Sequence, residues 1–447
     1  MRPRRPPLWY AIAWIAALPM VALYLLWRSL RQKEYCRHWA ERFLGRGAGG
    51  DKEPGTLMIW VHAVSVGETR AAQPLIERLA QVHPHACFVL THMTPTGRAA
   101  GTDIVRALPR RVQQRYLPYD LPLAVQRFLR ETAPRVGVLM ETELWPCLLY
   151  ATQRRGVPVI LANARLSERS LGKALHYRSL IAGAAACVSS VGAQSAADAA
   201  RIAELYRGPI QVTGNLKFDL VPDAQMLEQG KDLRARFRAG WGDRALWLFA
   251  STREGEEQMV LTAMQDLEPS DAYAQPPLLM FVPRHPQRFT EVANLLQASG
   301  AEVLRRGQWD DVLRGKPADP QRQLRTILLG DSMGEMPLYY AMADVALIGG
   351  SLQPLGGQNL IEACACGCPV VLGPHMFNFA QAADDAIAAG AAQRVSAVVE
   401  ALRAMQQICA QAERRQRMSA AALDFATRHR GATQRTVRLI NEAMQLR

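Results

Sequence analysis

The chain has 447 residues, 49% hydrophobic and 21% charged, a composition typical of a folded protein of two or three domains. Its 32 glycines and 27 prolines follow no period, which excludes a collagen-like or low-complexity chain. The net charge is +13, and residues 1–50 alone contribute +7 of it. Because nucleic-acid-binding proteins carry their basic stripe on the folded domain, we expect no nucleic-acid partner. The basic terminus indicates a nearby membrane instead.

An apolar stretch without charges covers residues 8–27. Its length matches the roughly 20 residues that a helix needs to cross a bilayer, and Trp and Tyr lie near both ends. A cleaved signal peptide is the alternative, but it would have a shorter apolar region followed by small residues, whereas Arg28 follows here. We therefore predict an uncleaved anchor within residues 1–33. Positive charge flanks the stretch on both sides and gives a slight bias towards a body on the cytoplasmic side. Pro19 leaves open whether the helix spans the membrane or lies in its interface.

The eight cysteines show no C-x-x-C pair and no disulfide framework. Three of them, Cys364, Cys366 and Cys368, form a C-x-C-x-C run that can suggest a thiolate metal site. Their Ala- and Gly-rich apolar context favours small core residues at a helix-to-strand junction. No metal site is predicted there.

Short apolar runs alternate with helical patterns along the body, which predicts parallel sheets covered by helices on both faces. The predicted strands are residues 56–62, 87–91, 135–140, 157–162, 187–191 and 210–213, then 245–250, 278–282, 302–305, 326–330, 345–348 and 369–372. Residues 219–242 read as a linker leading into a helix. The prediction is an α/β fold of two doubly wound Rossmann-like domains facing a cleft, with an acceptor-binding domain at 34–220 and a nucleotide-sugar-binding domain at 221–447. The tail from Ser396 onward has amphipathic helical patterning and is expected to pack across the domains.

Ligands of such sheets bind outside the carboxyl ends of the strands, so the loops there are the candidate sites. The loop HAVSVGETR, residues 62–70, places Glu68 at the start of a helix. A carboxylate at that position can act as a general base on an acceptor hydroxyl. The alternative is a glutamate that only stabilises the positive end of the helix dipole.

Two further loops of the first half carry charged residues. METELWP, residues 140–146, sets Glu141 and Glu143 at the end of a predicted strand, where they either serve the site or, with Thr142, cap a helix. GNLKFD places Lys217 after the last strand of this half. Because lysine is rare in this chain, Lys217 suggests a position where a compact positive charge has a function. The alternative is a solvated lysine in a linker.

The second half offers groups suited to a phosphate. In PRHPQRF, Arg284 and His285 lie between two prolines, which predicts a rigid turn that presents a cation. A glycine-rich loop at 349–357 precedes Asn359, with Glu362 one turn later. The N–H groups at such a helix start can receive a phosphate, and the carboxylate can bind ribose hydroxyls. The sequence contains neither a P-loop motif nor a D-x-D pair, so nucleotide-sugar binding without a bridging metal is the interpretation.

Seven motifs in unbroken order resemble the motif set of the Kdo (3-deoxy-D-manno-octulosonic acid) transferases of Gram-negative bacteria: HAVSVGE, METELWP, GNLKFD, PRHPQRF, MGE, GGSL…GGQNLIE and GPHMFNF. The resemblance implies a glycosyltransferase-B fold anchored on the cytoplasmic face of the inner membrane. It also implies transfer of Kdo from CMP-Kdo to a lipid A precursor (lipid IVA), without a metal or other cofactor.

The resemblance further implies roles for residues of these motifs. Glu68 would be the general base of an inverting reaction. Lys217 and one of the two carboxylates, Glu141 or Glu143, would stabilise the transition state or orient the reacting groups, and Glu141 is taken as the catalytic one. CMP would be bound by the remaining candidates: Arg284, His285, Met333, Gly334, Glu335, Asn359, Leu360, Ile361 and Glu362.

Two other classes of protein remain as alternatives. A related transferase with a UDP-sugar donor would keep the glycine-rich loop. Whether CMP or UDP protects the protein against thermal unfolding distinguishes it from a CMP-Kdo transferase. A membrane-bound binding module without catalysis would tolerate the loss of Glu68.

Overall fold

The computed structural model describes residues 5–47, 55–267, 275–314 and 319–445. The chain divides into two compact units, Met1–Leu220 with Arg430–Arg447, and Val221–His429. Each unit contains one seven-stranded sheet whose strand pairs are all parallel. The α/β class and the two doubly wound sheets are therefore confirmed.

The sheet of the first unit has the strand order β3-β2-β1-β4-β5-β6-β7. The chain builds the sheet in one direction from β1 to β3 and in the other direction from β4 to β7, so the order reverses between β1 and β4. The loops after these two strands therefore lead to opposite faces of the sheet, and such a switch point is where α/β sheets bind ligands. The strands are β1 Met58–His62, β2 Cys87–His92, β3 Val112–Tyr116, β4 Val136–Met140, β5 Val159–Ala164, β6 Ser190–Ala193 and β7 Ile210–Val212.

Helices cover both faces of this first sheet, and its strands β1 and β4 are completely buried. The helices are α1 Leu8–Ser29, α2 Trp39–Leu44, α3 Val66–Val82, α4 Pro95–Ala100, α5 Thr102–Ala107, α6 Pro122–Thr132, α7 Pro146–Arg154, α8 Glu168–His176, α9 Arg178–Ala185, α10 Ala196–Ala203 and, from the end of the chain, α21 Ala432–Gln445.

Helix α1 has the length and apolarity needed to cross a membrane. One side of it contacts the body of the first unit: Leu25 is buried, and the Trp14 ring lies 5.7 Å from the ring of Tyr119. The opposite side exposes large apolar side chains, including Leu8, Ile12 and Met20. A helix of this kind fits a membrane anchor.

The last helix corrects one expected boundary, since residues 430–447 belong to the first unit and not to the second. Helix α21 packs on α3, and its Val437, Leu439 and Ile440 are buried in the core of the first unit. Asp219, the last residue of the GNLKFD motif, accepts hydrogen bonds from the backbone N–H groups of Gly431 and Thr433. Burial and this cap attach the end of the chain to the first sheet.

The sheet of the second unit has the order β10-β11-β9-β8-β12-β13-β14, and its winding reverses between β8 and β12. Its strands are β8 Leu246–Thr252, β9 Leu278–Pro283, β10 Glu302–Arg305, β11 Thr326–Leu329, β12 Val345–Ile348, β13 Val370–Leu372 and β14 Ala392–Arg394. Its helices are α11 Ala224–Trp241, α12 Glu256–Gln265, α13 Phe289–Ala298, α14 Trp309–Arg314, α15 Pro320–Leu324, α16 Met336–Met342, α17 Leu360–Ala365, α18 Ala380–Ala388, α19 Val398–Ala410 and α20 Ala412–Arg428.

All twelve predicted strands are present, with ends displaced by up to three residues. Strands β3 and β14, which the sequence analysis did not predict, lie at sheet edges and carry polar residues. Most of the expected linker at 219–242 is helix α11. Cys364 is buried within α17 and Cys368 between α17 and β13, and burial raises the pKa of the Cys364 thiol to about 12, as expected for core cysteines.

Candidate active site

Glu68 lies in the first turn of α3, in the loop region that follows β1. Its backbone N–H donates to the Ser65 hydroxyl at the helix start, and that hydroxyl donates back to the Glu68 carboxylate over 2.8 Å. The second carboxylate oxygen accepts the Val64 N–H at 2.9 Å. Glu68 is thus part of the helix cap, and its carboxylate is held in one orientation.

The environment of Glu68 favours its protonated form. Burial raises the pKa of its carboxyl from 4.5 to about 7, and the negative charges of Glu141 and Glu143 add to the increase. The hydrogen bonds from Val64 and Ser65 act in the opposite direction. A carboxyl that titrates near neutrality can both accept and release a proton at physiological pH.

Glu141 and Lys217 meet beside this carboxyl. The Lys217 Nζ lies 3.6 Å from the Glu141 Oε1, and the two side chains are 17% and 22% exposed. Lys217 is therefore no solvated linker lysine. Glu141 has a left-handed backbone with φ of 58°, an uncommon conformation for a residue with a Cβ, and such strain clusters at functional sites. Burial raises the pKa of Glu143, and the charge of Glu141 raises it further.

Neither glutamate caps the following helix. The Thr142 hydroxyl donates to the Arg165 carbonyl, and the first N–H groups of α7 are satisfied from elsewhere in the fold. The buried Asp120 carboxylate accepts the N–H groups of Cys147 and Leu148, both at 2.8 Å. This excludes the capping alternative for the METELWP motif and leaves its carboxylates at the switch point of the first sheet.

Asn163 is a positioning residue that the sequence analysis missed. It is fully buried at the end of β5 with φ of 56°, and its Oδ1 accepts the Leu216 N–H at 3.0 Å. That bond fixes the short 3₁₀ turn Leu216–Asp219, which carries Lys217. An asparagine that tolerates a left-handed backbone just after a predicted strand was the available signal.

Replacing Asn163 by Ala is expected to misplace Lys217, because the Leu216 N–H would lose its acceptor and the left-handed backbone would be strained. We expect a stability loss of about 1–3 kcal/mol and, in any reaction that uses Lys217, a fall in kcat larger than any change in KM. Thermal unfolding and steady-state kinetics measure both. Asn163→Asp, which keeps the acceptor oxygen, should recover part of kcat; equal losses in the Ala and Asp variants would contradict the positioning role.

In the second unit, the predicted glycine-rich loop lies at the switch point, after β12. A buried carboxylate holds it: both oxygens of Glu256 accept the Gly350 N–H, at 2.8 and 2.7 Å, and one also accepts the Arg253 N–H. Gly356 has φ of 90°, and a Cβ there would lie 2.3 Å from the Asn378 side chain of the GPHMFNF motif. Glycine is required because the loop packs this closely.

The cations of the PRHPQRF motif lie beside this loop. The Arg284 guanidinium donates to the Gln358 side chain over 3.0 Å, which brings it next to Asn359. His285 begins the 3₁₀ turn Pro286–Arg288, and burial together with the charges of Arg253 and Arg284 lowers its pKa. The structure thus brings Arg284 and the start of α17 together at the carboxyl ends of the strands of the second sheet.

The remaining predicted CMP residues fall into two groups. Asn359 caps α17 through its side-chain oxygen, which accepts the Ile361 N–H, and Glu362 follows in the first turn. Met333 and Gly334 lie in the loop after β11, where Met333 is exposed. In the same loop, Glu335 pairs with Arg306, so its carboxylate is already engaged. The side chains of Leu360 and Ile361 are buried, and the Ile361 N–H is already used by the Asn359 cap.

The fold of the two units gives the structural class of the protein. A crystal structure of a glycosyltransferase from Rickettsia africae aligns with a TM-score of 0.58 at 11% identity, over 87% of this chain and 99% of that one. This likeness shows the two-unit fold of the glycosyltransferase-B type.

Sequence comparison then gives the family. The family model for 3-deoxy-D-manno-octulosonic-acid transferases matches residues 37–220. The 3-deoxy-D-manno-octulosonic acid transferase of Bordetella pertussis is 44% identical over 431 residues, 96% of this chain and 97% of that protein. That of Haemophilus influenzae is 33% identical over 434 residues, 96% of each chain. The chain belongs to the Kdo transferase family and is a glycosyltransferase.

Proposed function

We propose that this protein transfers Kdo from CMP-Kdo to a lipid A precursor with inversion at the anomeric carbon, and that Glu68 is the general base. The observation that carries the proposal is the Glu68 carboxyl at the switch point of the first sheet, with a pKa of about 7 and two further glutamates nearby. Family membership supports the sugar that is transferred.

The reaction can be written with its atoms balanced. An acceptor sugar hydroxyl attacks the anomeric carbon of Kdo from the face opposite to CMP, and its proton passes to the Glu68 carboxylate. The bond between the anomeric carbon and the phosphate oxygen breaks, and CMP leaves with that electron pair. A base with a pKa near 7 is ionised in a large fraction at neutral pH and still basic enough to take the proton.

Lys217 supplies positive charge for this step. It is held by Glu141 and by the turn that Asn163 fixes, so little reorganisation is needed as charge develops. We assign it to stabilising negative charge in the transition state or on the carboxylate of Kdo. Glu141 orients Lys217, which favours Glu141 over Glu143 as the assisting carboxylate.

On the donor side, we propose that CMP binds to the second unit. Arg284 and the N–H groups before α17 would meet the single phosphate, and Glu362 would accept from the ribose hydroxyls. His285 and the backbone at Met333, Gly334 and Leu360 would complete the site, whereas the Ile361 N–H is used by the Asn359 cap. Asn359 and Glu335 would act by holding the backbone around the nucleotide, since the Asn359 oxygen caps α17 and the Glu335 carboxylate pairs with Arg306.

The apolar helix α1 supports a location at the inner membrane. We propose that it anchors the protein there, with both units on the cytoplasmic side. The basic residues that follow the helix would face anionic headgroups and the phosphates of the acceptor.

Nucleotide protection tests the donor assignment. CMP at about 100 times its dissociation constant should stabilise the detergent-solubilised protein by about 2.7 kcal/mol, and UDP at the same concentration should not. The shift in melting temperature measures both, and Arg284→Ala should reduce the CMP shift. Protection by UDP but not by CMP would favour the alternative of a UDP-sugar transferase.

A further inference from the structure

A cavity of about 500 Å³ lies in the first unit, between the sheet and helices α8 to α10. Its size is within the range of roughly 300–1,000 Å³ that is typical of small-molecule sites, whereas protein cores are usually packed without such space. The walls are mainly aliphatic. Representative lining residues are Leu161, Ala174, Ile181, Val188 and Leu205.

One end of this cavity reaches the candidate active site. Thr142 and Glu143 line it from the loop after β4, and β4 pairs with β1, whose following loop leads to Glu68. Trp145 also lines the cavity, and the interaction of its indole N–H with the Glu143 carboxylate opposes the rise in the pKa of that group. The cavity is therefore an apolar space that starts beside the proposed catalytic base.

The anchor helix forms another part of the wall. Tyr10 of α1 lines the cavity, and its hydroxyl donates to the buried Asp120 carboxylate over 2.9 Å. Trp14, one turn later, has its ring 6.3 Å from that of Trp145. Because the other side of α1 exposes large apolar side chains, the same helix that contacts the cavity also presents a surface suited to lipid.

We propose that this cavity receives one acyl chain of the lipid acceptor, a specificity subsite that deepens the proposed function and rests on it. An unbranched hydrocarbon matches the aliphatic walls, and its sugar end would remain beside Glu68. Because Tyr10 belongs to the anchor helix, the acyl chain would enter the cavity close to the membrane surface. The occupant is the acceptor itself and not a bulk phospholipid.

Reducing the cavity tests the proposal. Ala174 lines the cavity from α8, whereas its neighbour Lys173 is exposed and does not. Ala174→Leu and Ala174→Phe should raise KM for tetraacylated lipid IVA progressively, while an analogue with short acyl chains is affected little. Excluding two methylenes corresponds to about a 15-fold weaker binding, at about 0.8 kcal/mol per buried CH₂. Lys173→Phe is the matched control and should leave both acceptors unchanged. Equal changes for the long- and short-chain acceptors in the Ala174 variants would overturn the proposal.

Photolabelling of the full-length protein tests occupancy without requiring transfer. A lipid IVA analogue with a photoreactive group at the chain end should label peptides from α9 and β6, and Ala174→Phe should reduce that label. Label confined to the exposed side of α1 would overturn the proposal, and so would equal labelling by a photoreactive phospholipid. If the parent protein transfers no Kdo to either acceptor, the proposed function fails, whereas the labelling still decides whether the cavity holds the chain.

Discussion

Replacing Glu68 by Gln is expected to lower kcat for Kdo transfer by about 10²- to 10⁴-fold, the usual contribution of a general base. Glutamine keeps the size of the side chain and an oxygen that accepts the Val64 N–H, so the cap of α3 is largely retained. It has no group that can take the proton of the acceptor hydroxyl. Initial rates with saturating donor and acceptor measure the loss, and CMP binding should be unchanged. Near-parental kcat in this variant would contradict the role of Glu68.

The pH dependence checks the same residue in two ways. The rate of the parent should rise with pH through about 7, as Glu68 ionises. Stability should move in the opposite direction: since the folded pKa is raised from 4.5 to about 7, the contribution of this group is complete below 4.5 and is lost as the pH rises through 7. Glu68→Gln lacks this loss, so its melting temperature should exceed that of the parent at pH 8 and approach it at pH 4. A parent rate that does not change around pH 7 would contradict the assignment.

Replacing Arg288 by Met should give the largest loss of stability, about 3–5 kcal/mol, because it leaves a buried charge without its partner. Glu257 is 0% exposed, and its two oxygens each accept one Arg288 N–H at 2.9 Å. Among the described residues, the other donor to the Glu257 carboxylate is the Thr252 hydroxyl, which is neutral. The pair connects α12 to the turn that carries His285, so the donor side of the second unit should loosen as well.

A double variant controls for this result. In Glu257→Gln with Arg288→Met neither charge remains, and most of the lost stability should return. Hydrogen exchange of peptides from β8 to α13, measured on the full chain, reports the local free energy of opening for each variant. A loss below about 1 kcal/mol in Arg288→Met would mean that the ion pair is solvated and is not the connection described.

The sequence was sufficient for the central strands and for the loops of the site. Central parallel strands are buried on both faces, so β1 and β4 read as continuous apolar runs, and the ends of such runs mark the candidate loops. Two of the four edge strands, β3 and β14, were missed because Gln113 and Gln393 interrupt their apolar runs, whereas the edge strands β7 and β10 were predicted. Pattern alone therefore recovers the middle of each sheet better than its margins.

Contacts between distant parts of the chain account for what the sequence did not predict. Asp120 caps α7 from 27 residues away, and Asp219 caps α21 from 212 residues away. Neither partner has a local pattern that identifies the other. The pKa of Glu68 depends in the same way on burial and on Glu141, which reaches it only after the strands have paired.

The most direct measurement is transfer of labelled Kdo to lipid IVA by membranes that contain this protein, with labelled CMP-Kdo formed in a preceding reaction and EDTA added before the membranes. The account predicts a Kdo-bearing lipid with the parent and almost none with Glu68→Gln, although both bind CMP. Transfer by the parent that stops when EDTA is added would contradict the metal-independent mechanism. A parent that forms no Kdo-bearing lipid with or without EDTA would contradict the proposed donor and acceptor.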